Sequence, residues 1–191
     1  FKLPDPFFVI STNNPIESEG VYPLPEAQRD RFLFKLFIDY PKFDDEIKIL
    51  NNNETLKRFD EFKINKTLTQ NNILKLQRQA KMVYTNDNIN KYIIRLVEAT
   101  RNYEKYKIKL GKYIEWGSSP RASISLFIGS KVEAMIHGRN YVTPQDVKNV
   151  AKPVLRHRVI LNYEGQAEGI KTDDIISEIL DRVPIKWENN H

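Results

Sequence analysis

Apolar positions along this chain recur with one period before residue 41 and with another after it. Residues 7–10, Phe7-Phe8-Val9-Ile10, are apolar on both alternating faces, the pattern of a strand covered on both sides in a parallel sheet. Residues 32–38 predict a second strand, and Pro25 predicts the first residue of a short helix ending near Arg31 between the two. Beyond Pro41 the period becomes helical. Asp44, Asp45 and Glu46 suit the positive end of a helix over 44–50. One amphipathic helix then carries Ile73, Leu76, Ala80 and Val83 on one face, and the next carries Ile89, Ile93, Leu96 and Val97. Ser119-Pro120 predicts a capped helix start, with Ile124, Phe127, Ile128, Val132 and Met135 as the buried stripe. Thr143-Pro144-Gln145-Asp146 predicts another start, and a last helix over 173–182 turns Ile175, Ile176, Ile179 and Leu180 inward before Val183-Pro184 ends it. Residues 105–113 alternate lysine with apolar and aromatic side chains, which predicts a half-buried strand with a solvated lysine face.

The connection between the first two apolar runs holds more chemistry than a turn requires. Ser11, Thr12, Asn13 and Asn14 stand at the carboxyl end of the first run, where parallel sheets present ligands. The segment continues Pro15-Ile16-Glu17-Ser18-Glu19-Gly20 and ends Pro25-Glu26-Ala27-Gln28-Arg29-Asp30-Arg31-Phe32. It resembles, almost position for position, the second half of the AAA+ module of MoxR-type ATPases. Gly117-Ser118-Ser119-Pro120-Arg121-Ala122 is similar to the sensor 2 motif of the same family. The resemblance covers about residues 6–184, with both motifs in the family's order. Three positions depart from it: Asn13 stands where Gln is more usual, Ser118 replaces Ala, and Arg29 replaces Leu.

The resemblance implies an α/β core fragment, residues 1–40, followed by a mostly α-helical AAA+ lid domain, residues 41–191, with a hinge at Tyr40-Pro41-Lys42-Phe43. It implies ATP hydrolysis between adjacent subunits of a homo-oligomer, usually a hexameric ring, that performs chaperone-like remodelling or metal insertion on a client protein. Asn14, as sensor 1, would orient the attacking water, Arg121 would reach the γ-phosphate of the same subunit, and Arg31, as arginine finger, would reach into the neighbour's site. ATP and Mg2+ are the implied cofactors.

The glycine-rich phosphate loop and the paired acids of such an ATPase are not found in the chain. Gly111-Lys112 is followed by Tyr113, and Asp39, after an apolar run, is followed by Tyr40. The chain opens on Phe1 without an initiator Met, so the expectation is that it is the carboxyl-terminal part of a longer polypeptide, inactive alone, whose magnesium ligands lie upstream. A non-catalytic helical adaptor is the other reading, and the upstream sequence separates the two. With no cysteine and three histidines lacking ligand spacing, no metal site is expected, and His157 reads as a core or interface residue flanked by surface-paired Arg156 and Arg158. The net charge of +5 is dispersed, with lysines spread among 25 acids, so no nucleic-acid partner is expected. No apolar run is long enough to span a membrane, and a cytoplasmic location is expected.

Overall fold

The computed structural model describes residues 1–13, 24–53 and 64–186. Among these, eight α-helices are formed: α1 (Glu26–Arg29), α2 (Phe43–Asn53), α3 (Gln70–Met82), α4 (Asp87–Ala99), α5 (Pro120–Ile136), α6 (Pro144–Leu155), α7 (Tyr163–Ala167) and α8 (Thr172–Arg182). Polar side chains set the starts of most. Thr69 and Thr143 form reciprocal capping boxes with Asn72 and Asp146, and Asn86, Ser119 and Asn162 each accept a backbone N–H in the first turn of α4, α5 and α7.

The core lies between α4, α5, α6 and α8. Ile89, Tyr92, Ile93, Leu96 and Val97 of α4 meet Val147, Val150, Ala151, Val154 and Leu155 of α6 and Ile175, Ile176 and Ile179 of α8, all buried. The predicted inward faces of α4 and α8 are those observed. That of α5 is not. Its buried residues are Ala122, Ser125, Leu126, Gly129, Ser130 and Ala134, whereas Ile124 and Ile128 are exposed. This helix is apolar nearly all round, so periodicity could not choose a face. Packing turned the small residues inward, with Gly129 beside Val150 and the Phe34 ring, where a Cβ would make ordinary contact at 3.5 Å.

Residues 105–113 are not a strand. They form two 3-10 turns, Tyr103–Tyr106 and Lys109–Tyr113, joined through Lys107 in the left-handed backbone region at φ 54°. Carboxylates hold this path. Glu98 accepts from Lys105 Nζ at 2.8 Å and Tyr106 Oη at 2.5 Å, and Glu178 accepts the backbone N–H groups of Lys109 and Leu110, both at 2.8 Å. The strand comes directly after: β1 (Ile114–Trp116) pairs antiparallel with β2 (Ile160–Leu161).

The two N-terminal apolar runs carry no ladder among the described residues, neither with each other nor with another segment. Main-chain donors without a neighbouring strand cannot make a sheet, and Phe7, Phe8, Val9, Ile10, Leu36, Phe37 and Ile38 accordingly lie exposed. The second run is nevertheless fastened to the helices, with Lys35 N–H donating to Pro153 O at 2.8 Å and Arg156 Nη1 to Lys35 O at 3.3 Å.

Candidate functional site

Arg121 owes its position to a backbone approach that only glycine permits. A Cβ on Gly117 would lie 2.4 Å from the Thr100 carbonyl oxygen, so the chain passes tight against the end of α4. The buried Thr100 hydroxyl then accepts the Ser118 N–H at 2.9 Å. Ser119 Oγ accepts the Arg121 N–H at 3.1 Å, and Pro120, lacking an N–H, takes the first helical position of α5. The Arg121 side chain, 58% exposed, leaves this rigid base in the first turn of a 17-residue helix.

Across from it stands the turn that ends α1. Asp30 Oδ2 accepts the Ser119 hydroxyl at 2.8 Å and lies 3.7 Å from Arg121 Nε, while Asp30 Oδ1 accepts from Arg158 Nε at 3.0 Å. The start of α5, through Ser119 and Arg121, and Arg158, beyond α6, thus meet on one carboxylate. Arg31 follows directly, exposed, and its side chain has no hydrogen bond or ion pair among the described residues. Arg29 differs: it is half-buried, turned back on its own helix, and approaches Glu26 at 3.8 Å.

Sequence reasoning gave Arg158 a surface pair; the structure buries it. Its side chain is 1% exposed. Nη2 donates to Asp30 O at 2.9 Å, Phe32 O at 2.6 Å and Ser125 Oγ at 3.1 Å, and Nη1 to Leu33 O at 3.2 Å and to Val154 O. Burial lowers the guanidinium's pKa and the bond to Asp30 opposes that, so the carboxylate compensates the buried charge. The available signal was its setting, a cation inside the apolar run from Val154 to Leu161. Arg156 does pair, with Asp173 at 2.8 and 3.0 Å, and stacks over Phe37 at 4.6 Å.

His157 is a core residue, as its context predicts. Its Nε2 lies 3.0 Å from Phe32 O, an acceptor, so Nε2 carries a proton. Burial, then the charge of Arg158, depress its pKa to about 4. Asn14 lies outside the described residues.

The donors of Arg121 and the capped start of α5 suit phosphate oxygens, so the residues present fit the polyphosphate of a nucleotide. Among the described residues, no group of three or more His, Asp or Glu could hold a metal ion.

Two family models match the chain. The AAA lid domain matches residues 111–179, and the ATPase family associated with various cellular activities (AAA) matches residues 1–34. The chaperone MoxR1 of Mycobacterium tuberculosis is 38% identical over 99% of this chain and 49% of its own length. The uncharacterized protein YeaC of Bacillus subtilis is 38% identical over 96% of this chain and 54% of its own. A crystal structure of a candidate ATPase from Cytophaga hutchinsonii superposes with a TM-score of 0.89 at 39% identity, covering 98% of this chain and 56% of that one. The chain therefore spans about half the length of the curated relatives it matches. With an α/β core segment followed by a helical lid, and with both motifs in order, this chain belongs to the MoxR-type AAA+ ATPases.

Proposed function

We propose that the full-length protein hydrolyses ATP at subunit interfaces of a homo-oligomeric, hexameric ring in the cytoplasm and uses the energy for chaperone-like remodelling of, or metal insertion into, a client protein. Residues 1–40 complete the α/β core and residues 41–191 form the lid. Bound ATP, with Mg2+ held by residues outside those described, supplies the phosphoryl group. Arg121 binds a γ-phosphate oxygen of its own subunit's nucleotide, Arg31 places its guanidinium against the neighbour's, and Asn14 orients the attacking water.

The observation that carries this reading is the pairing of two exposed guanidiniums on one rigid frame. Arg121 leaves a Ser119-capped helix start, Arg31 leaves the residue next to Asp30, and Asp30 joins the two bases. Exposure alone is ordinary for arginine; what supports phosphate recognition is that the two guanidiniums leave one frame beside a capped helix start, whose free N–H groups favour anions.

The test uses the full-length protein. Arg121→Ala is expected to weaken nucleotide binding and turnover together, because that contact exists in ground and transition states alike. Arg31→Ala is expected to spare nucleotide binding and lower turnover. Mixing Arg31→Ala subunits with subunits whose phosphate-loop lysine is replaced restores activity at mixed interfaces, since each defect then lies at a different site. A full-length protein without ATP turnover, or with turnover indifferent to both arginines, leaves the helical adaptor as the reading.

A further inference from the structure

Lys105 and Lys107 do not share the solvated strand face that their alternation predicts. The 3-10 turn Tyr103–Tyr106 instead sets both at the mouth of an open cleft of about 390 Å³, walled by the end of α4 and the end of α8. Half-buried Arg95, Glu98 and Tyr106 form its floor, and exposed Lys105, Lys107, Arg182 and Lys186 stand around its rim. None of these residues belongs to the frame that holds Arg121.

Five cations line this cleft against one carboxylate, and that carboxylate is already engaged. Glu98 Oε1 accepts from Lys105 and Oε2 from Tyr106, bonds that hold its carboxyl below the ordinary range. The nearby acids Glu104 and Asp181 do not line the cleft. The side chains of Lys107, Arg182 and Lys186 have no hydrogen bond or ion pair among the described residues. Like charges gathered on one concave surface repel, and an anion from outside relieves the repulsion. The negative end of α8 accounts for Arg182. Lys107 has no such reason. Its backbone stands at φ 54°, where glycine would be unstrained, so this charged side chain is kept at the rim at a conformational cost.

Sites for small organic ligands are mostly apolar; this one is charged and open. A compact anion such as orthophosphate needs donors that converge on one point, whereas these are spread around a rim, with the Glu98 carboxylate below to repel an anion seated centrally. Nucleic acid is bound by long basic stripes or by stacking platforms. This cleft is short, and its tyrosine is tied to Glu98 with Lys105 Nζ over its ring at 5.5 Å. Carboxylates spaced along an extended chain can instead meet the rim cations one by one and avoid Glu98. We propose that this cleft binds an acidic segment of another protein, a run of Asp and Glu side chains lying across the ends of α4 and α8. Binding there needs neither Arg31 nor Arg121.

The test is fluorescence anisotropy of a short labelled polyglutamate peptide on the full-length protein, with excess ADP present so that Arg121 is not the peptide's partner. Saturable binding that weakens as salt rises is expected. Lys107→Glu with Arg182→Glu reverses two rim charges and is expected to weaken binding by about ten-fold or more. Lys75→Glu with Lys171→Glu makes the same change in net charge at exposed lysines that do not line the cleft, and is expected to stay within about two-fold. Equal losses from the two pairs would reduce the effect to net charge and overturn the proposal, as would an unmodified protein that does not bind the peptide. Orthophosphate that displaces the peptide where chloride of equal ionic strength does not, or an oligonucleotide that binds more tightly and is lost with the same pair, assigns the cleft to another anion and also overturns it. Should reversal at Arg182 unfold the last turn of α8, Lys107→Gln with Lys186→Gln removes charge outside the helices and is expected to weaken binding by about three- to ten-fold. Unchanged affinity in that variant overturns the proposal.

Discussion

Two apolar regions meet opposite fates in this molecule, and the more apolar one is the one left in water. Residues 7–10 and 32–38 hold more large apolar side chains per residue than α4 does, yet theirs are mostly in water while Ile89, Tyr92, Ile93, Leu96 and Val97 of α4 are buried. The difference is not hydrophobicity but the reach of the partners. A helix satisfies its main-chain hydrogen bonds internally and needs only a side-chain surface, which α5, α6 and α8 provide within the stretch from Asp87 to Arg182. A strand needs another strand's main chain, and none is described beside either run. The helical region can therefore complete its core from local sequence, and the extended runs cannot. Chemistry follows the same division, since Arg31 comes from the segment that reaches outward and Arg121 from the packed one.

The largest expected effect sharpens that last contrast. In the full-length protein, Arg31→Ala is expected to lower turnover by about 10³- to 10⁵-fold, roughly 4–7 kcal/mol, with nucleotide affinity nearly unchanged. An exposed ion pair could account for only about 1 kcal/mol. Arg29→Ala, which removes a guanidinium already turned back toward Glu26, is expected to cost much less. Steady-state turnover and a nucleotide-binding titration on both variants decide the matter. Full turnover in Arg31→Ala with loss in Arg29→Ala would move the finger by two positions.

Next in size is the packed region itself. Leu126 is fully buried on the face of α5 that the structure selects, and Leu126→Ala in this chain is expected to cost about 2–5 kcal/mol, read as a drop in urea midpoint at unchanged slope. Ile124→Ala, two residues away on the exposed face, is expected to cost under about 0.5 kcal/mol. Comparable losses for the two would reverse the assignment of faces.

The seam between the two regions is expected to respond to pH. His157 lies between Phe32 and the α6 region, and burial holds its pKa at about 4 against an ordinary 6.5. The unfolded chain thus binds the proton first as pH falls. The contribution of this neutral histidine is complete above about pH 6.5 and is lost progressively as pH falls toward 4, by up to about 3 kcal/mol. Denaturant midpoints measured across that range should decline less steeply in His157→Gln, whose amide can still donate to Phe32 O. An identical decline in both proteins would show that carboxylates, not His157, govern acid sensitivity there.

Legibility in the sequence follows the same physics. Faces of α4 and α8 were readable because each has one apolar stripe, and the starts of α5 and α6 because Ser119-Pro120 and Thr143-Pro144 have few other uses. The inward face of α5 was not readable, since a helix apolar nearly all round leaves the choice to packing volume. The 3-10 path of residues 103–113 was hidden because Glu98 and Glu178, which hold it, are distant in sequence. At the site, Arg31 and Arg121 stood out as motifs, but Asp30 and Arg158 did not, for their importance lies in a contact spanning 128 residues.

The smallest expected effect bears most directly on why the extended runs are apolar at all. Ile38 is 94% exposed, so in this chain its side chain already stands in water in the folded state as it does in the unfolded one. Ile38→Ser then removes no buried contact, and stability should stay within about 0.5 kcal/mol of the unmodified chain. Association is another matter: an exposed extended run of Leu36, Phe37 and Ile38 offers both unpaired main chain and apolar side chains to another copy, so the serine variant is expected to stay monomeric at higher concentration. In the full-length protein, where residues 1–40 are proposed to complete the α/β core, the same substitution should cost roughly 2–4 kcal/mol, because there the side chain is covered. Chemical denaturation of both lengths, with light scattering on the shorter, measures the difference. Equal, negligible losses in both would mean that no core forms around residues 32–38, and the proposed division at residue 40 would have to be abandoned.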